Sequence, residues 1–156
     1  MTVKVTVLGI GNQLMMDDGI GIYIVNELMK EKYLDLCYII GESDIDYCIE
    51  VIYQTKKLVI IDAMMSEKAP CEISVFPLED LTYNNTQVFS THNLHFLNVM
   101  KHYKKKVEGF LIGIETEQVD FHYGLSLRLE NEFFKILDKV KKELRSILIE
   151  MEGWEE

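Results

Sequence analysis

The sequence has little that would break it into parts. Only two prolines, Pro70 and Pro77, occur in 156 residues, and no repeat or low-complexity tract interrupts the chain. It therefore reads as one unit, a single domain over residues 1–156. Cysteines are as scarce: Cys37, Cys48 and Cys71 are odd in number, far apart and form no C-x-x-C pair. Packed, reduced thiols in a reducing compartment are the expectation. A reactive Cys71 would need a histidine or a helix N-terminus beside it.

Basic charge is also in short supply. Sixteen Lys and Arg face 26 Asp and Glu, a formal net charge of -10, which repels phosphate backbones and anionic lipid alike. Nucleic acid is excluded as a partner on that ground. No charged-then-apolar leader opens the sequence, and no apolar run approaches the ~20 residues that span a bilayer. A soluble, cytoplasmic protein without membrane insertion is expected.

What is present is 48% apolar content, enough for one domain with a core. Short apolar or β-branched runs predict strands at Val3 to Leu8, Leu36 to Ile40, Leu58 to Asp62, Glu72 to Phe76 and Phe110 to Glu115. Helical patterns fill the intervals at Ile20 to Lys32, Ile45 to Gln54, His92 to Lys104 and Ser126 to about Met151. In the last, Leu129, Phe133, Ile136, Val140, Leu144, Ile147 and Met151 recur at spacings of three and four, a core-facing stripe. Strands alternating with helices imply an α/β sandwich on a mostly parallel, about five-stranded sheet. One antiparallel strand is expected, because Leu58 to Asp62 and Glu72 to Phe76 are close enough to pair as a hairpin.

The chemistry concentrates in GIGNQLMMDDGIG, Gly9 to Gly21. A dinucleotide loop would carry its third glycine where Leu14 stands, and a phosphate-binding P-loop would end in Gly-Lys-Ser/Thr. Asp17 and Asp18 instead occupy the place where a phosphate needs N–H groups and a positive field, so this loop suits a cation or a neutral group. One carboxylate is enough to cap the following helix; the second needs another role. Asp62 ends an apolar run and projects from the carboxyl edge of a strand, where ligands of open α/β sheets sit. His92, after Ser90 and Thr91, stands at a loop-to-helix junction, and His95 could join it on one helical face. His102 reads as a surface residue, and His122 as packing or rim. Two carboxylates and an imidazole suit a borderline divalent ion such as nickel or zinc, with positions left open.

Three segments, Gly9-Ile10-Gly11-Asn12-x-Leu14-x-x-Asp17-Asp18-Gly19-x-Gly21, Val59-Ile60-Ile61-Asp62-Ala63 and Ser90-Thr91-His92-Asn93-Leu94, together resemble the hydrogenase maturation endopeptidases. That family trims the C-terminal extension from the large subunit of nickel-iron hydrogenases. The Thr-His-Asn-Leu segment and Glu152-Gly153-Trp154-Glu155 look most like the branch serving the formate-hydrogenlyase type of hydrogenase. The resemblance implies a three-layer αβα sandwich and marks Asp18, Asp62 and His92 as metal-contacting, with Asp18 and Asp62 as the catalytic acids of an aspartic-type peptidase. It also implies that the metal is nickel already inserted in the substrate, not a standing cofactor of the protein, and that the partner is the large-subunit precursor. Asp17 is then either the water-activating base or the helix cap.

The sequence departs from the family where Ile40-Gly41-Glu42-Ser43 replaces Asp-Gly-Gly-Ser/Thr, and where Thr116 stands in place of a common proline. Two other readings accompany the resemblance: a nickel-checkpoint protein that binds the large subunit without cutting it, and a metallohydrolase with its own zinc, favoured if His95 joins the site.

Overall fold

The computed structural model describes residues 4–80 and 108–153. The predicted helix at His92 to Lys104, with His92, His95 and His102, lies outside the described residues. Among the described residues the sheet has five strands: β1 (Val5–Ile10), β2 (Cys37–Glu42), β3 (Lys57–Met64), β4 (Ile73–Pro77) and β5 (Glu108–Glu115), in the order β2-β1-β3-β5-β4. The described α-helices are α1 (Ile20–Glu31), α2 (Ile45–Tyr53), α3 (Leu127–Asn131) and α4 (Phe133–Gly153), and a short 3-10 turn, Met16–Gly19, precedes α1.

The apolar runs are nearly continuous because the central strands are covered on both faces. On one face Val7, Val59, Ile61 and Ile112 pack with Ile20, Ile24 and Leu28 of α1 and with Ile136, Val140 and Leu144 of α4. On the other, Leu8, Ile10, Leu58, Ile60, Met64 and Leu111 pack with Cys48 and Ile52 of α2. The layers are therefore helix, sheet, helix. Each fully buried Ile or Leu contributes about 2 kcal/mol, so the central strands and α1 dominate the hydrophobic stabilisation. Local signals set the helix ends: Asp44 accepts the Tyr47 N–H at 3.0 Å to start α2, and Lys32 closes α1 in the left-handed conformation at φ 51°.

Two expectations need correction. One strand is antiparallel as expected, but β4 pairs with β5, through Ile73–Ile114 and Phe76–Leu111, and not with β3. Both edges of β3 are already taken, by β1 and β5 in parallel register, so β4 must cross to the outer edge of β5. Pro77 fits there, since an edge strand tolerates the missing N–H. The final helix is not continuous from Ser126: the chain leaves helical geometry at Glu132, φ -101° and ψ 11°, separating α3 from α4. The apolar stripe survives the break, because Leu129 joins Ile136, Val140, Leu144, Ile147 and Met151 in one cluster.

Among the described residues no helix is long and apolar enough to cross a membrane.

Candidate active site at the carboxyl edge of the sheet

Parallel strands β1, β2, β3 and β5 end on the same side, and the acidic loop after β1 lies there with Asp62 of β3. The approach is close. Gly21, in the first turn of α1, would place a Cβ only 2.3 Å from the Ile61 carbonyl oxygen. Only glycine lets α1 start this near β3, which seats the acidic turn over the residue preceding Asp62. Gly11 has φ 140°, and a Cβ there would lie 2.1 Å from the Asp18 carbonyl oxygen. The loop thus folds back on itself at a position only glycine fills without strain.

Asn12 closes that fold. Its N–H donates to Asp18 Oδ2 at 3.0 Å, and its own Oδ1 accepts the Leu14 N–H at 2.9 Å. Asp18 is 5% exposed and Asp62 is fully buried, with Oδ1 accepting the Ala63 N–H at 2.7 Å. One oxygen of each carboxylate is therefore oriented by a backbone N–H of its own segment. Along β3, Asp62 alternates with Ile61 and shares its side of the sheet with Ile60 and Met64. Cys48 of α2 senses it: burial, then the charges of Asp44 and Asp62, push the Cys48 thiol up to about 11.

Asp17 does something the sequence did not suggest. It is fully buried and caps none of the described helices; the N-cap of α1 is Gly19, without a side-chain cap bond. Its Oδ2 accepts the N–H groups of Glu117 and Gln118, both at 3.0 Å, and the Ser126 hydroxyl at 2.8 Å, while Oδ1 accepts the Ser126 N–H at 2.7 Å. This carboxylate ties the acidic turn to the segment after β5. Ser126 serves twice, because its Oγ also accepts the Leu129 N–H at 3.4 Å at the start of α3. The Ser-x-x-Leu helix start was readable; the partner of its hydroxyl was not.

The same segment is stitched to the loop by backbone bonds. Met16 donates to the His122 carbonyl and His122 to that of Leu14, each at 2.9 Å. His122 is exposed, which fits the rim and not the packing alternative. Thr116, where the resembled family often has proline, donates both its N–H at 3.0 Å and its hydroxyl at 3.1 Å to the Met64 carbonyl, ending β3 beside β5. Proline could supply neither bond. Glu42, at the other departure, takes φ 53°, and its carbonyl accepts the Gly11 N–H at 2.9 Å. Backbone bonding thus holds a carboxylate-bearing residue in a conformation that glycine adopts more easily.

Cys71 is a buried thiol donating to Glu132 Oε2 at 3.3 Å. Burial, then the hydrogen bond and charge of Glu132, push it up to about 11, which favours the thiol over the nucleophilic thiolate. Among the described residues no three His, Cys, Asp or Glu side chains gather closely enough to hold a metal ion.

Comparison with known proteins agrees with this architecture. The family model described as hydrogenase maturation protease matches residues 22–143. A Methanocaldococcus jannaschii protein carrying the hydrogenase maturation protease name is 30% identical over 130 residues, 76% of this chain and 75% of that protein. The Escherichia coli hydrogenase 2 maturation protease is 28% identical over 158 residues, covering 94% of both chains. The solved hydrogenase-maturating endopeptidase HybD from E. coli superposes with a TM-score of 0.74 at 26% identity, over 92% of this chain and 93% of that one. With an acidic turn locked over a parallel sheet edge, and with a match covering most of its length, this chain belongs to the hydrogenase maturation protease family.

Proposed function

We propose that this protein is an endopeptidase that removes the C-terminal extension of a nickel-iron hydrogenase large subunit after nickel insertion, and that Asp18, Asp62 and His92 contact the nickel held by the substrate. Family membership supports peptide-bond hydrolysis in hydrogenase maturation. The observation that carries the finer reading is the division of labour among the acids. Asp17 spends both oxygens on structural bonds, whereas Asp18 and Asp62 sit buried on the two segments that the Gly21–Ile61 contact brings together.

Two carboxylates and one imidazole are oxygen and nitrogen donors suited to nickel, and three donors leave positions for ligands that the metal brings from the substrate. Seating that nickel positions the scissile bond beside a carboxylate. The carboxylate takes a proton from water as the water oxygen bonds to the carbonyl carbon. The C–N bond then breaks, and the proton passes to the leaving amine.

The test is mass spectrometry of a large-subunit precursor before and after incubation with the metal-free protein, in nickel-loaded and nickel-free forms. Release of a C-terminal peptide from the nickel-loaded form alone is the expected result. Stable binding with no mass change would select a checkpoint role, and cleavage only after zinc is added to the protein would select a metallohydrolase.

A further inference from the structure

We propose that Leu14, Phe121 and Tyr123 form the surface on which the precursor protein docks, through a segment that places an apolar side chain next to a basic one. This rests on the peptidase reading above and adds where and how the partner is held. The three side chains are 51%, 84% and 68% exposed, an unusual concentration of large apolar groups on two short loops. The exposure belongs to an ordered surface. His122, between Phe121 and Tyr123, is bonded through its N–H and carbonyl to Leu14 and Met16, and Met15 pairs with it in parallel register, which sets Leu14 level with Phe121. The Gly124 N–H donates to the Gln13 carbonyl at 3.4 Å, and the Asp17 carboxylate grips Glu117, Gln118 and Ser126 on the same segment. Tyr123 also lies near enough to Tyr23 of α1 to raise the Tyr23 hydroxyl pKa, after the larger effect of burial.

The patch is continuous with the candidate site, since the Met15 carbonyl accepts the Asp18 N–H at 3.1 Å. A partner seated on Leu14 and Phe121 is therefore beside the acidic turn. Its charge preference follows from composition. Residues 9–21 and 116–127 contain Asp17, Asp18, Glu117 and Asp120 but no Lys or Arg. With Asp17 engaged internally, Asp18 only 5% exposed and Arg128 paired with Glu132 at 2.6 Å, it is the exposed Glu117 and Asp120 that leave the loops net acidic beside the apolar surface. A second copy of this chain would set those carboxylates against their equivalents across a two-fold axis. A precursor segment carrying Lys, Arg or protonated His beside an apolar residue meets both features.

The experiment compares Phe121→Ser, Tyr123→Ser and the double variant with the wild type, measuring initial rates of peptide release from nickel-loaded precursor and, separately, calorimetric binding of the same precursor. Ile149→Ser, exposed on α4, is the control. The expected result is a KM and a binding constant weakened roughly tenfold in the double variant, with kcat little changed, an unchanged urea midpoint, and a KM that rises with salt in the wild type. A double variant with wild-type KM and affinity overturns the proposal. So does conversion of a wild-type dimer to monomer in sedimentation, which assigns the patch to self-association. Failure of the peptidase reading looks different: the wild type then releases no peptide, while the binding arm still decides the docking surface.

Discussion

The carboxylate of Asp17 receives both the backbone N–H and the hydroxyl of Ser126, a residue 109 positions later in the chain, at 2.7 and 2.8 Å. The N–H groups of Glu117 and Gln118 donate to it as well. Asp17→Asn turns an amide NH2 toward those donors and removes the charge that strengthens the bonds. A loss of about 2–3 kcal/mol in stability is expected, read as a lowered urea midpoint. Wild-type stability in this variant would mean that the Asp17 bonds contribute nothing net to the fold.

Gly21→Ala should cost stability and activity together. Its methyl would meet the Ile61 carbonyl at 2.3 Å, and a backbone atom cannot rotate away. Overpacking of this kind costs about 1–3 kcal/mol, and the relief available is displacement of α1 with the acidic turn it carries. Thermal unfolding and precursor processing, measured on one preparation, should both fall.

For Asp18→Asn and Asp62→Asn the two readouts should separate. Each Asn keeps an oxygen that can accept the Asn12 or Ala63 N–H while losing the charge that holds a cation or takes a proton. Processing of nickel-loaded precursor is expected to drop by about 100-fold or more with the unfolding midpoint nearly kept. If either variant processes at the wild-type rate, that carboxylate leaves the catalytic assignment.

The buried thiols predict a loss of stability in alkali. Cys48 and Cys71 are both raised from 9.0 to about 11 in the folded protein, so folding favours the protonated thiols. Their contribution is fully present below the unfolded pKa of 9.0 and is lost as pH rises toward and through about 11. Urea midpoints taken across that interval should fall less steeply in Cys48→Ala and Cys71→Ala than in the wild type, after allowance for the cavity each leaves at neutral pH. Equal slopes would show that these thiols are not the linked groups.

How much of this could be read in the sequence depended on distance along the chain. β3 was legible because every residue from Lys57 to Met64 is buried and the run ends in Asp62, an acid at a strand terminus. α2 was legible from the helical pattern of Ile45 to Gln54, though its Asp44 cap was not singled out. The partner of β4 was not, because proximity favoured β3 while sheet order is set by which edges the parallel crossovers leave open. The break at Glu132 was hidden by an apolar stripe that keeps its period across it. Asp18 and Asp62 could be picked out by their surroundings in sequence, but His92 lies outside the described residues and its place beside them rests on the resemblance. The work of Asp17 depended on Glu117, Gln118 and Ser126, and no periodicity links residues so far apart.

That dependence gives the site a timetable during synthesis. The acidic turn is made near the beginning of the chain, yet the Glu117, Gln118 and Ser126 groups that donate to Asp17 all emerge after β5. Closing so long a loop costs backbone entropy, and its closure waits for those donors. The tie between the acidic turn and the segment after β5 therefore forms only once residues 117–126 have been made. A chain that stops before Ser126 carries Asp17 and Asp18 without the Ser126 donors that tie the acidic turn to the segment after β5.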